Sequence, residues 1–145
     1  MDTNLYVRAF RSRQDAADLE SFYFSFAPSC FLSSIVFHEL LAGANTKGKA
    51  RRIHEDIARP FARTARVVTP LHAAWESSAE GLARMAREDG LELRRIPKSL
   101  VHDFLLAASC REAEAILITD NSRDFDRIQR LIPFEFLAPW PIRVG

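Results

Sequence analysis

The sequence predicts an α/β fold in which βα units surround a mainly parallel sheet. Stretches with apolar residues at helical spacing alternate with short runs of strand character, and turn residues punctuate the changes. A length of 145 residues and a hydrophobic content of 48% suffice to fill one core. No repeat, low-complexity tract or composition shift marks a boundary, so a single domain over residues 1–145 is expected.

The elements follow in order. Gln14 to Phe26 carries Ala17, Leu19, Phe22, Tyr23 and Phe26 at roughly helical spacing, and Pro28 stops it. A short strand is expected at Cys30 to Ser33. Ser34 to Gly43 reads as a helix through Ile35, Val36, Leu40 and Leu41. The basic segment from Lys47 to Arg66 reads as a second helix, interrupted at Pro60. Val67 to Thr69 follows as a strand. Leu71 to Glu88 is an amphipathic helix with Trp75, Leu82 and Met85, closed by Asp89-Gly90. Pro97 and Ser99 open the next helix, about Leu100 to Glu114, with Phe104, Leu105, Ala107 and Ala108 inward. Ala115 to Thr119 is the strongest strand signal in the chain. A polar turn, Asp120 to Arg123, leads to a short helix at Phe125 to Gln129 and a last strand at Phe134 to Leu137.

Composition excludes several classes. Cys30 and Cys110 stand far apart in apolar or small-residue runs, without metal-ligand or redox spacing, so buried free thiols are expected. No stretch approaches the about 18 consecutive apolar residues of a membrane helix, and the amino terminus lacks a secretory layout, so a cytoplasmic location is expected. A net charge of +1 does not announce a nucleic-acid binder. All of the 20 basic residues except Lys47, Lys49 and Lys98 are arginine, which suits phosphate but also follows from codon bias. His38-Glu39 and His54-Glu55 do not form an HExxH zinc motif. Ser99, His102 and Asp103 lie too close in sequence for a hydrolase triad without a nucleophile elbow.

In an open parallel sheet, ligands bind beyond the carboxyl ends of the strands, so the acids delivered there matter most. Asp120 follows the strand ending at Thr119, and Glu39 lies in the second turn of the helix after Ser33. Asp103 returns to the same edge because its helix of about 12 residues spans ~18 Å, close to the ~17 Å of a five-residue strand. Asp2 completes the set if the residues before it form a strand. Each acid has a plain structural reading: a chain end for Asp2, a helix-terminal charge for Asp103 and turn chemistry for Asp120 and Asn121. Glu39 is harder to explain that way, since Ile35, Ala42 and Gly43 share its helix face. Two carboxylates ~4 Å apart repel by ~4 kcal/mol at an effective dielectric of ~20, so a cluster of them needs protons or a cation. All-oxygen ligands favour Mg²⁺ or Mn²⁺ over zinc.

Four segments, in this order, resemble the motifs of PIN domains: Met1-Asp2-Thr3-Asn4, then Ser33-Ser34-Ile35-Val36-Phe37-His38-Glu39-Leu40-Leu41-Ala42-Gly43, then His102-Asp103-Phe104-Leu105-Leu106-Ala107-Ala108, then Ile118-Thr119-Asp120-Asn121-Ser122-Arg123-Asp124-Phe125. They are most similar to the VapC ribonuclease toxins of bacterial type II toxin–antitoxin pairs. The resemblance implies a three-layer α/β/α fold, Mg²⁺ or Mn²⁺ as cofactor, and Asp2, Glu39 and Asp103 as its holders. By register it adds Asn121 and Asp124, whereas strand geometry nominates Asp120, and all three stay open. PIN domains carry a central strand before their first aspartate. Only Met1 precedes Asp2 here, so either the true start lies upstream or the first strand has been lost; if the chain begins at Met1, a frayed Asp2 and weak or absent activity are expected.

The reaction implied is metal-assisted endoribonuclease hydrolysis of RNA phosphodiesters. Thr119, Ser33 and Asn4 are candidates to orient carboxylates. Arg51, Arg52, Arg94, Arg95 and Lys98 are candidates to track RNA phosphates, although salt-bridged helix surfaces explain such residues as well. The same resemblance implies an antitoxin partner and a homodimer, with exposed aromatics among Phe22, Tyr23, Phe24 and Phe26 as a candidate surface. The alternative is a catalytically impaired fold that survives as a protein- or RNA-binding module.

Overall fold

A computed structural model describes residues 1–140, apart from the side chain of Leu93. The described residues fall into two compact units, one of Met1–Val68 with Ile118–Asp120 and the start of the carboxyl-terminal segment, the other of Thr69–Leu117 with Asn121–Leu137.

The first unit opens with helix α1 (Thr3–Arg11) and helix α2 (Arg13–Phe26). Helix α1 is not signalled by the sequence, because Asp-Thr-Asn reads as a turn. Here the same run is a helix start: Asp2 is extended (φ −72°, ψ 154°) and its carboxylate accepts from the Thr3 amide. Ser12 then ends α1, donating its amide to the Arg8 carbonyl, and caps α2 by accepting from the Asp15 amide. Strand β1 (Leu32–Ser33) passes into helix α3 (Ser34–Ala42), whose cap is Ser33. After helix α4 (Lys47–Arg52), strand β2 (Val67–Val68) returns parallel to β1, with Leu32 opposite Val67 and Ser33 opposite Val68. The long crossover between them is what a parallel pair requires.

The predicted interruption at Pro60 does not occur. Between α4 and helix α5 (Arg59–Arg63) the chain widens into a π-helical turn over Ile53–Ala58, and Pro60 falls in the first turn of α5. Looser winding just before the proline makes room for a ring that would otherwise strike the preceding turn, so the helical path continues. Leu5, Leu32 and Val36 are at most 1% exposed and form the core of this unit.

Helix α2 buries no residue, although its aromatics suggest an inward face. Phe24 is 71% exposed, while Tyr23 packs edge-on against Phe61. Its carboxyl-terminal end is tied down by Arg66. That guanidinium donates to the carbonyls of Ala27 and Cys30 and, at 3.0 Å, to the Tyr23 hydroxyl, and it lies over the rings of Tyr23 and Phe61.

The second unit is organised by helix α6 (His72–Glu88) and helix α7 (Lys98–Glu112). Gly81 lets them approach: a Cβ there would fall 2.8 Å from the Phe104 ring and 3.1 Å from Ile132. Phe104 is itself fully buried, so its ring has little room to yield. Strand β3 (Leu117–Ile118), helix α8 (Ser122–Gln129) and strand β4 (Phe136–Leu137) follow. The Leu117 amide donates to the Glu135 carbonyl at 3.0 Å, and Phe125, Phe134 and Phe136 pack ring to ring. Every strand is shorter than its sequence signal, because apolar residues such as Ile116 extend beyond the paired positions and stay 49% exposed.

Two helices end in left-handed residues that are not glycine, Ala65 after α5 (φ 53°) and Glu114 after α7 (φ 51°). In each case the next amide reaches back five residues, Arg66 to the Phe61 carbonyl and Ala115 to the Cys110 carbonyl, which is a Schellman closure.

Two outcomes are expected in thermal or denaturant unfolding. Glu114→Gly should stabilise the protein by about 0.5–1 kcal/mol by relieving the left-handed backbone. Gly81→Ala should destabilise it by about 1–3 kcal/mol, because overpacking against Phe104 outweighs the gain of about 1 kcal/mol in helix propensity.

Candidate metal centre

Asp2 is the best-buried acid named by the sequence, at 4% exposure. Its amide donates to the Ile118 carbonyl at 2.8 Å, which docks the amino-terminal residues against β3. Its Oδ1 accepts from the Thr3 amide at 2.7 Å and its Oδ2 from the Thr119 hydroxyl at 2.7 Å. The frayed end expected for Asp2 is therefore corrected: three hydrogen bonds and burial hold it in place.

Burial pushes the Asp2 carboxyl above its ordinary value of 3.8, and the negative charge of Glu39 raises it further. The Thr119 hydroxyl, the Thr3 amide and the α-amino group oppose that shift without cancelling it. Glu39, half-buried on α3, is joined to Asp2 through one residue. The Thr3 hydroxyl donates to a Glu39 oxygen while the Thr3 amide serves Asp2, so a single threonine orients both acids. Thr3 escapes sequence reasoning because its role depends on α1 laying its first turn beside α3. The only trace of it in the sequence is a hydroxyl residue next to the first aspartate.

Of the residues expected to orient carboxylates, Thr119 does so. Ser33 instead accepts from the Ile35 amide and caps α3, and Asn4 is exposed on α1. Asp120 is engaged by Arg8, whose guanidinium donates to it at 2.8 Å and to Asp15 at 2.5 Å. A carboxylate already neutralised by a guanidinium is a poor cation holder, so Asp120 is the weakest of the acidic candidates.

The remaining candidates lie in the second unit. Asp103 is half-buried in the second turn of α7, just before Phe104, too far along to cap the helix. Asn121 precedes α8 and its carbonyl accepts from the Phe125 amide, while Asp124 stands half-buried in the first turn. Among the described residues, no group of three or more His, Cys, Asp or Glu side chains is arranged to hold a metal ion.

Several basic candidates are occupied along their own helices. Arg51 pairs with Glu55 at 3.1 Å, Arg52 with Asp56 at 3.8 Å and Arg95 with Glu92 at 3.4 Å, all well exposed. Arg94 and Lys98 are exposed. Cys30 is buried, Cys110 is half-buried, and neither is in a disulfide.

The donor chemistry of the Asp2 and Glu39 pair fits a hard divalent cation. Both contribute only oxygen, burial raises the proton affinity of Asp2, and each of its oxygens keeps a lone pair beyond its one hydrogen bond.

The PIN-domain family model matches residues 1–131. The chain belongs to the PIN-domain family. Its fold is similar to that of a chain in the structure of FitAB bound to the IR36 DNA fragment, with a TM-score of 0.70 and 21% identity, covering 98% of this PIN domain and 95% of that chain. A chain in DNA-bound VapBC from Salmonella typhimurium matches with a TM-score of 0.67 and 20% identity, covering 94% of each chain. One in VapBC-1 from nontypeable Haemophilus influenzae has a TM-score of 0.63 and 22% identity, again over 94% of both. No curated protein matches the sequence. Among the described residues, no helix of this PIN domain is long and apolar enough to cross a membrane.

The raised Asp2 carboxyl has a signed consequence. The folded state holds this proton more tightly than the unfolded state, so the metal-free protein should lose stability as pH rises from about 3.8 through the higher folded value, and then level off. Asp2→Asn keeps a carbonyl for the Thr3 amide and an amide for the Thr119 oxygen. Melting curves in chelator should show that variant more stable than the parent at neutral pH, with the Asp2 contribution to the pH dependence removed.

Proposed function

We propose that this PIN domain is a metal-dependent endoribonuclease and the toxin component of a type II toxin–antitoxin pair. The observation that carries the reading is the buried, hydrogen-bonded Asp2 carboxylate coupled through Thr3 to Glu39, at the positions where the family motifs put acids. Asp2, Glu39 and Asp103 are proposed to hold Mg²⁺ or Mn²⁺, with Asn121 and Asp124 completing the set. When bound, the cation supplies an activated water and charge stabilisation at the scissile phosphate.

The chain's own residues prepare the ground for that chemistry. Thr119 and the Thr3 amide fix both oxygens of Asp2, and the Thr3 hydroxyl fixes Glu39, so neither acid must reorganise when a cation arrives. Desolvation keeps Asp2 from settling as a hydrated carboxylate and makes a dication the more effective partner. The similar folds come from FitAB and VapBC complexes, two of them DNA-bound, and this supports assigning the present chain a small DNA-binding antitoxin as partner. A homodimer of a single-domain chain in the cytoplasm is part of the same proposal.

Mn²⁺ titration by calorimetry, alongside cleavage of a labelled RNA, tests the reading. The parent should bind Mn²⁺ and cleave only when it is present, and Glu39→Gln and Asp103→Ala should lose both properties. Thr119→Val, which removes one orienting hydroxyl, should weaken Mn²⁺ affinity about 10–100-fold. Unchanged Mn²⁺ affinity in Asp103→Ala would remove it from the ligand set. RNA binding without any cleavage would instead identify an impaired PIN fold that acts as a binding module.

A further inference from the structure

A cleft of about 370 Å³ opens beside Glu39 in the first unit, between α1, α3 and α4. Its floor is apolar, made in part by Leu40 and Ile53, both nearly fully buried. Three cations line it, Arg11 from the last turn of α1 and Lys49 and Arg52 from α4. Neither Arg11 nor Lys49 makes an ion pair among the described residues, and the Arg52 pair with Asp56 is long and exposed at 3.8 Å. Phe10 also lines the cleft and is 48% exposed, so much of its ring area remains open to a ligand.

An apolar floor with one accessible aromatic ring, lined by cations as well as a carboxylate, matches a particular kind of ligand. Phosphates pair with the unengaged cations, and an unstacked base has a face to lay on the ring. A duplex offers the phosphates but keeps its bases stacked internally. An acidic peptide would satisfy the cations and yet make no use of a flat ring in particular.

We propose that this cleft binds a single-stranded segment of the RNA substrate, with Phe10 as the platform for one base and Arg11 and Lys49 as phosphate contacts. This rests on the ribonuclease reading above and deepens it, since a strand lying in the cleft passes Glu39. None of the three residues is singled out by sequence motifs. Phe10 falls on a helix that the sequence does not signal, and Lys49 is one basic residue among many in its segment.

The test is fluorescence anisotropy in chelator, so that binding is read apart from cleavage, with a labelled single-stranded oligoribonucleotide, an RNA duplex of equal length and an oligoglutamate as probes. The parent should prefer the single strand. Phe10→Ala should weaken that binding about tenfold or more, and Phe10→Trp should restore it. Arg11→Gln with Lys49→Gln should reduce the slope of log affinity against log salt by about 1.4, which is about 0.7 for each phosphate no longer neutralised. Where cleavage is measurable, Phe10→Ala should raise KM and leave kcat nearly unchanged. Parental affinity in Phe10→Ala, equal binding of the duplex, or tighter binding of oligoglutamate would each overturn the proposal and leave the nuclease reading standing. Conversely, intact single-strand binding that depends on Phe10, without metal-dependent cleavage, would overturn the nuclease reading alone.

Discussion

Burial of the Asp2 carboxylate is the constraint around which the first unit is arranged. A carboxylate removed from water is costly unless something replaces its hydration, and here two donors do so in part, the Thr3 amide and the Thr119 hydroxyl. Strand β3 offers a carbonyl to the Asp2 amide and, one residue on, the Thr119 hydroxyl to its side chain. Helix α1 offers its first amide, and its first hydroxyl reaches across to Glu39 on α3. The acid is thus fully oriented yet incompletely compensated, as its raised proton affinity records.

Such an arrangement trades folding stability for preorganisation. A pair of acids on flexible ends would bind a cation only after paying the entropy of being gathered, whereas these are held by the fold before any ligand arrives. The cleft beside Glu39 extends the same logic to a substrate. Its ring and cations are mounted on helices rather than loops, and so they are positioned by the same packing that positions the acids.

Much of this is legible in the residues. Glu39 stands out because a carboxylate on a stripe with Ile35 and Gly43 has no ordinary structural use, and Asp2 and Thr119 draw notice from their places at strand ends. The order of helices from Ser34 onward follows from apolar spacing and from Gly43, Asp89-Gly90 and Pro97. What escapes detection depends on three-dimensional neighbours. Helix α1 is short, and its cap, Asp2 before Thr3 and Asn4, mimics a turn. The helix through Pro60 survives because the turn before it widens, which no local propensity records. Strand lengths are overstated because only pairing, not composition, decides where a ladder stops. Thr3 and Phe10 matter through elements far from them in sequence.

Helix α2 shows what it means for a segment to be fastened rather than packed. None of its 14 residues is fully buried, so it rests on half-buried side chains such as Leu19, Phe22 and Tyr23, and the Arg66 guanidinium ties its carboxyl-terminal end. Local opening free energies follow apolar contact density, so this helix should form a separate, weaker cooperative unit whose amides exchange with solvent well before those of α3 or α7. Its aromatic side chains, Phe24 foremost, are therefore presented on a surface able to adjust its shape while the hydrogen-bonded Asp2 and Glu39 stay in place.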